Sequence, residues 1–128
     1  MDAVLLEVGL GGELDAVNII DADVAIVTSV ALDHQDWLGD TRSEIGKAKL
    51  GVARRNKPLL VGEPDLPHGF ADKVADIGAD ALFIGKDFRI LEDKNKSSFT
   101  SHVKDDSLTQ SIGPMDHCSL LPENITLA

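Results

Sequence analysis

The sequence predicts an α/β protein, with a mostly parallel sheet and flanking helices, followed by a small antiparallel appendage. Three observations predict it. Short apolar runs of strand length alternate with stretches of helical period. Glycine or proline stands at most of the boundaries between them. After Gly85 the texture turns polar, with short runs around a turn-rich stretch, which suits hairpins better than crossovers. Residues 1–85 are therefore expected to form the α/β part and residues 86–128 an antiparallel β appendage of the same domain.

The elements follow in order. Ala3 to Leu6 is an apolar run closed by Glu7 and then by Gly9, Gly11 and Gly12, which reads as a buried strand ending in a turn. Asp15 to Ile20 begins a short helical turn with Asp15 or Asn18 as its cap. Val24 to Val27 is a second strand, followed by Thr28, Ser29 and then Asp33, His34 and Asp36. Asp40 to Ser43 opens a polar-capped helix running to about Arg54, with Ile45, Ala48, Lys49 and Val52 near one face. Lys57 to Val61 is a third strand, with proline near its start, where a missing donor is tolerated. A helix from Pro67 to Ile77 has Gly78 just past its end, and Ala81 to Ile84 is a fourth strand. Beyond Gly85, Phe88 to Leu91 and Phe99 to Val103 pair as a hairpin around the polar stretch 93–98, and Cys118 to Pro122 is another short extended run.

In open α/β sheets, ligands bind past the carboxyl ends of the strands. Two strands here are followed by candidate ligands, Glu7 after the first and His34 after the second. If the strands are parallel neighbours, these side chains converge on one metal or one phosphate group; the plainer alternative is a solvated glutamate and a surface histidine. Lys49 on an apolar helix face either snorkels its amine to water or serves a site. The glycines of the first loop provide either close approach to a ligand or an ordinary turn.

Composition narrows the function classes. A chain of 128 residues is about one domain, and 43% hydrophobic residues are enough for a core. No apolar run approaches the roughly 20 residues that span a bilayer, and the first residues lack a basic leader, so a cytoplasmic protein is expected. A formal net charge of −10 argues against nucleic acid or an anionic membrane as main partner. It leaves a nucleotide open, because one metal ion and one lysine offset a phosphate locally. Cys118 stands alone, which excludes a disulfide framework and a multi-cysteine zinc site. The glycine loop fails the dinucleotide fingerprint at Leu14, and no phosphate-loop Gly-Lys-Ser/Thr is present. His68, His102 and His117 lack helical partners for a hydrolytic zinc cluster around His34. Glu7 and His34 in oxygen-rich company suit magnesium better, which is held by one or two carboxylates plus substrate phosphates.

An ordered set of motifs adds to this reading. Leu6-Glu7-Val8-Gly9-Leu10-Gly11-Gly12 is followed by Leu14-Asp15-Ala16 and Asn18. Then come Leu32-Asp33-His34 with Asp36-Trp37-Leu38-Gly39, Ile45-Gly46, Lys49 with Gly51, and Gly62-Glu63-Pro64. The set resembles the signature of folylpolyglutamate synthases, of the Mur ligase superfamily, over about the first half of the chain. The polar tail is similar only in outline. The resemblance implies that residues 1–85 are part of a central ATP- and magnesium-binding domain. It implies ligation of L-glutamate to dihydropteroate or a folate, with ATP as co-substrate and Mg2+ as cofactor.

By the same resemblance, Glu7 is a magnesium ligand beside the nucleotide phosphates, and His34 binds a second magnesium ion nearer the acyl phosphate. Lys49 matches a lysine that is carbamylated to become a ligand of that second metal, which makes His34 and Lys49 the catalytic pair. Asp15 and Ala16 match positions that contact the pterin ring. Asp33 and Asp36 would orient the loop and His34. Three positions depart from the family pattern: Glu13 where arginine is usual, Val17 where threonine is common, and Ala48 where glutamate usually precedes the modified lysine. The resemblance places the family's phosphate loop ahead of Glu7 and its glutamate-binding groups past Ala128. The chain is thus expected to be a fragment of the central domain, inactive alone, with an open sheet edge that favours self-association.

Overall fold

The computed structural model describes residues 3–32, 35–93, 98–104 and 109–115. Its centre is a three-stranded parallel sheet of β1 (Ala25–Val27), β2 (Pro58–Val61) and β3 (Asp80–Phe83), in the order β1-β2-β3. Register pairs Ala25 with Leu59 and Val27 with Val61, then Leu59 with Ala81 and Val61 with Phe83. Parallel neighbours need crossovers. The first carries α1 (Gln35–Leu38) and α2 (Arg42–Lys49), and the second carries α3 (Phe70–Ile77).

Right-handed crossovers between strands laid down in sequence order put successive helices on one face of the sheet. The burial pattern agrees. Ala25, Val27, Leu59 and Val61 are buried while Ile26 and Leu60 between them are half-buried. The buried set forms one cluster with Ile45 and Leu50 from the α2 region and Phe70 and Val74 from α3.

The helix ends have local causes. Thr41 caps α2: its Oγ1 accepts from the Glu44 N–H, and Glu44 Oε2 accepts from the N–H groups of Asp40 and Thr41. This capping box satisfies donors that a bare helix start leaves orphaned. Those N–H bonds and the Thr41 hydroxyl hold the Glu44 carboxyl below its ordinary pKa, the hydroxyl contributing most. The helix is shorter than the expected run to Arg54, because it tightens into a 3-10 turn at Leu50–Val52. α3 begins at Phe70, three residues later than expected, with Gly69 as its N-cap and a turn bond from the Phe70 N–H to the Pro67 carbonyl. Gly78 ends it with a φ of 74°, as its place in the sequence predicts.

The expected first strand is corrected: Ala3 to Leu6 carries no regular secondary structure. A strand persists only where its backbone groups are paired and one face is covered. Neither holds here, since β1 is the sheet's edge and Val4 and Leu5 are 64% and 90% exposed. The parallel sheet thus has three strands where four were expected. The last ends at Phe83, with Ile84 forming an isolated bridge to Phe88.

The appendage is as expected at its hairpin and larger beyond it. β4 (Phe88–Asp93) and β5 (Ser98–Lys104) pair antiparallel, with Phe88 opposite Val103. A third strand, β6 (Thr109–Met115), lies along the other side of β5. Its Pro114 cannot donate to a ladder, and an edge strand is where that is tolerated. Beside it, between the pairs Ser101–Ile112 and Phe99–Met115, the register shifts by one residue. The run Cys118 to Pro122 lies outside the described residues.

Candidate functional site at the glycine loop

Asp15 shapes the glycine loop. Its carboxylate accepts the N–H groups of Val17 at 2.9 Å, Gly9 at 3.0 Å and Leu10 at 3.1 Å. The same side chain caps the 3-10 turn Ala16–Ile19, so the expected cap is Asp15 and not Asn18. The backbone donors, Val17 first, lower the Asp15 pKa below its ordinary value.

The loop is then laid on the carboxyl end of α2. The Glu13 N–H donates to the Ala48 carbonyl at 3.1 Å. The Asn18 amide donates to the carbonyls of Glu13 and Gly51 at 3.2 and 3.1 Å. Arg54 donates to the backbone and side-chain oxygens of Asn18, both at 3.0 Å, and to the Gly51 carbonyl at 2.9 Å, and pairs with Asp21. Two glycines make the approach possible. A Cβ on Gly12 would meet the Ala48 and Lys49 carbonyl oxygens at 2.8 and 2.9 Å, and one on Gly51 would overlap the backbone of Glu13. Gly12 thus lies against the backbone of Ala48 and Lys49, and Gly51 against that of Glu13, positions 36 to 38 apart in the chain.

Among the predicted site residues, Asp15, Ala16 and Lys49 share this junction. Lys49 is half-buried beside Gly12 and makes no ion pair or hydrogen bond through its amine among the described residues. Ala16 is exposed at the start of the 3-10 turn. Glu7 is exposed, on the irregular segment leading into the loop and not at a strand end, and its carboxylate has no partner among the described residues. His34, with Asp33, lies outside them. A polar groove between α2 and the start of α3 touches the junction only at Glu13 and Ala48; Glu7, Asp15, Ala16 and Lys49 do not line it.

Among the described residues no three His, Cys, Asp or Glu side chains converge as a cation site. A free carboxylate and an unpaired amine do not make the closed nitrogen and sulfur shell that zinc takes in structural sites. The carboxylate suits a hard cation that takes few protein ligands and completes its shell with phosphate oxygens and water; the amine, itself a cation, does so only once converted to a carboxylate-like group. Sequence reasoning missed Arg54, which ties Asn18 and Asp21 to Gly51 at this junction, and Arg42 and Glu63, which hold Val30 past the other end of β1. Gly62-Glu63-Pro64 was visible as a motif, but nothing in it told what Glu63 binds.

No protein-family model matches the chain. Known proteins do. The dihydrofolate synthase/folylpolyglutamate synthase of Escherichia coli is 60% identical over 79 residues, 62% of this chain and 19% of that protein. The chain is homologous to one part of the folylpolyglutamate synthases. The folylpolyglutamate synthase of Lacticaseibacillus casei is 40% identical over 96 residues, covering 73% of this chain and 22% of its own. Among solved structures, E. coli FolC in complex with DHPP and ADP superposes with a TM-score of 0.81 at 38% identity, over 94% of this chain and 28% of the other. The bifunctional synthase of Yersinia pestis complexed with AMPPNP and a Mn ion gives 0.80 at 38% identity, with the same coverage. The chain spans about a fifth of the length of the curated folylpolyglutamate synthases it matches. Among the described residues, no helix is long and apolar enough to cross a membrane.

Proposed function

We propose that this chain is part of the central ATP- and magnesium-binding domain of a cytoplasmic acid–amino-acid ligase, one that adds L-glutamate to dihydropteroate or a folate. Residues 1–85 are the α/β part and residues 86–128 its antiparallel appendage. The observation that carries the reading is the docking of the glycine loop on the Lys49 end of α2, which gathers Asp15, Ala16 and Lys49 at one junction. Relatives support it: one solved synthase binds DHPP and ADP, another AMPPNP and Mn.

In this reaction a substrate carboxylate oxygen attacks the γ-phosphorus of ATP, releasing ADP and leaving an acyl phosphate. The glutamate amine then attacks the acyl carbon; phosphate leaves, the amine loses a proton and an amide bond remains. A bound magnesium ion neutralises phosphoryl charge during the transfer. Glu7 would hold one ion, and His34 with Lys49 a second. For that role the Lys49 nitrogen, deprotonated, adds to the carbon of CO2 and so exchanges a cation for a carboxylate-like group. Among the described residues the Lys49 amine has no acceptor, which leaves it open to that chemistry. Asp15 spends its carboxylate on three loop N–H groups and still has lone-pair capacity for a ring N–H of the pterin.

The expected result is that the chain alone turns over no ATP-dependent ligation above a blank, yet takes up Mn2+ as a probe of the magnesium site. Titration calorimetry with Glu7→Ala and His34→Ala should show affinity falling at least roughly 10-fold in each. Equal affinity in all three proteins would refute the ligand assignment, and measurable ligation would refute the inactivity.

A second reading, a metal- or pterin-binding assembly module without turnover, is favoured by one feature. Leu5, Leu14 and Ile19 are exposed, and β1 presents an unpaired edge. Concentration-dependent association is the expected behaviour in sedimentation; a single monomeric species throughout would count against it.

A further inference from the structure

Residues 3–8 lead into the glycine loop with no hydrogen bond of their own among the described residues. The first bonds past Glu7 are those of Gly9 and Leu10, whose N–H groups both donate to Asp15 Oδ2, at 3.0 and 3.1 Å. The other oxygen of the same carboxylate, Oδ1, accepts the Val17 N–H at 2.9 Å, at the start of the 3-10 turn. That turn is fastened to the end of α2 through Asn18, which donates to the Gly51 carbonyl at 3.1 Å and accepts from Arg54 at 3.0 Å. Gly12, within the loop so closed, lies against the Lys49 backbone. One carboxylate thus joins the chain two residues past Glu7 to the body of the junction that carries Lys49.

We propose that Asp15 is a positioning residue for Glu7, holding it in place relative to Lys49. The inference rests on the metal reading above and is separate from any contact of Asp15 with a pterin. A chain reaches at most about 3.6 Å per residue, so Glu7 stays within about 7 Å of Gly9 while the Asp15 bonds hold. Without them the nearest anchor on α2 is the Glu13 N–H on the Ala48 carbonyl, and the tether lengthens to about 22 Å. The freed stretch would include Gly9, Gly11 and Gly12, and glycine loses more backbone freedom on ordering than any other residue. A cation that takes only one or two carboxylates would then bear the cost of ordering this segment itself. The Asp15 bonds meet that cost when the chain folds.

The test measures Mn2+ affinity, with no pterin present, in the native chain, Asp15→Ala, Glu7→Ala and the double variant, and amide hydrogen exchange in the first two. In Asp15→Ala the Gly9, Leu10 and Val17 amides are expected to exchange at least roughly 10-fold faster, while those of Glu13 and β2 stay protected. Mn2+ affinity should fall by about 10-fold, and adding Asp15→Ala to Glu7→Ala should cost nothing further. Native affinity in Asp15→Ala, with Glu7→Ala still weakened, would overturn the positioning role and leave the ligand assignment intact. Gly9 and Leu10 amides as protected as in the native chain would overturn the tether. A further loss in the double variant would mean that Asp15 reaches the ion by another route, which also overturns the proposal. Asp15→Leu, near in size but without an acceptor, gives the same readings should Asp15→Ala unfold. Protection lost at Glu13 or across the sheet in both variants would make Asp15 a purely structural residue and overturn the proposal. A native chain that takes up no Mn2+, or a Glu7→Ala variant with native affinity, would refute the metal reading, and this proposal with it.

Discussion

Gly51→Ala is expected to detach the glycine loop from α2 and lower stability by about 1–3 kcal/mol. A Cβ at position 51 would overlap the backbone of Glu13. That backbone cannot move aside locally, since the Glu13 N–H is bonded to Ala48 and its carbonyl to the Asn18 amide, which also bonds Gly51. The loop must lift as a unit, and these bonds, with the Arg54 contacts to Asn18, are lost together. A denaturant melt gives the stability change, and limited proteolysis within residues 9–15 gives the detachment. Mn2+ affinity should fall with it, because Glu7 leads into the same loop. An unchanged melt with an equally resistant loop would mean that the loop does not rest on α2.

Phe70→Ala is expected to have the largest effect on folding, about 3–5 kcal/mol. Phe70 is 1% exposed and is the largest fully buried side chain among the described residues. It stands at the first turn of α3 within the single cluster that also contains Ile45, Leu59, Val61 and Val74. Domains of this size have about 5–15 kcal/mol in total, so the variant should melt broadly or be unfolded near room temperature. Phe70→Leu, which leaves a smaller cavity, should cost clearly less. Equal urea midpoints for native protein and Phe70→Ala would show that α3 is not packed on the sheet.

Much of the fold was legible because the determinants are local. Val24 to Val27, Lys57 to Val61 and Ala81 to Ile84 each became a parallel strand to within a residue at either end. Their length and apolar content suffice where helices cover one face. Gly78 ended α3 because a left-handed φ costs glycine little. The hairpin of β4 and β5 followed from two short runs around a polar turn. The cap of the first helical turn was narrowed to Asp15 or Asn18, and Asp15 holds it.

Other features were beyond sequence reading because they depend on distant partners. Ala3 to Leu6 has strand composition, but composition cannot supply a neighbour to pair with. Thr109 to Met115 has the reverse character, polar with Gly113 and Pro114, and became β6 because the free edge of β5 was there to receive it. The site divides in the same way. Glycines, a carboxylate and a lysine on a helix could be named from the sequence as residue types suited to a phosphate-bearing ligand. That Gly12 lies against Ala48 and Lys49 and Gly51 against Glu13, that Asp15 spends its carboxylate on the loop itself, and that Arg42 and Glu63 hold Val30 are contacts between positions 5 to 38 residues apart. The sequence by itself determined the local elements, their order and the chemical inventory. Only the tertiary structure decided which of those groups remain free and which are consumed in holding the fold, since hydrogen bonds and close backbone contacts depend on distances that exist only once the sheet and helices have packed.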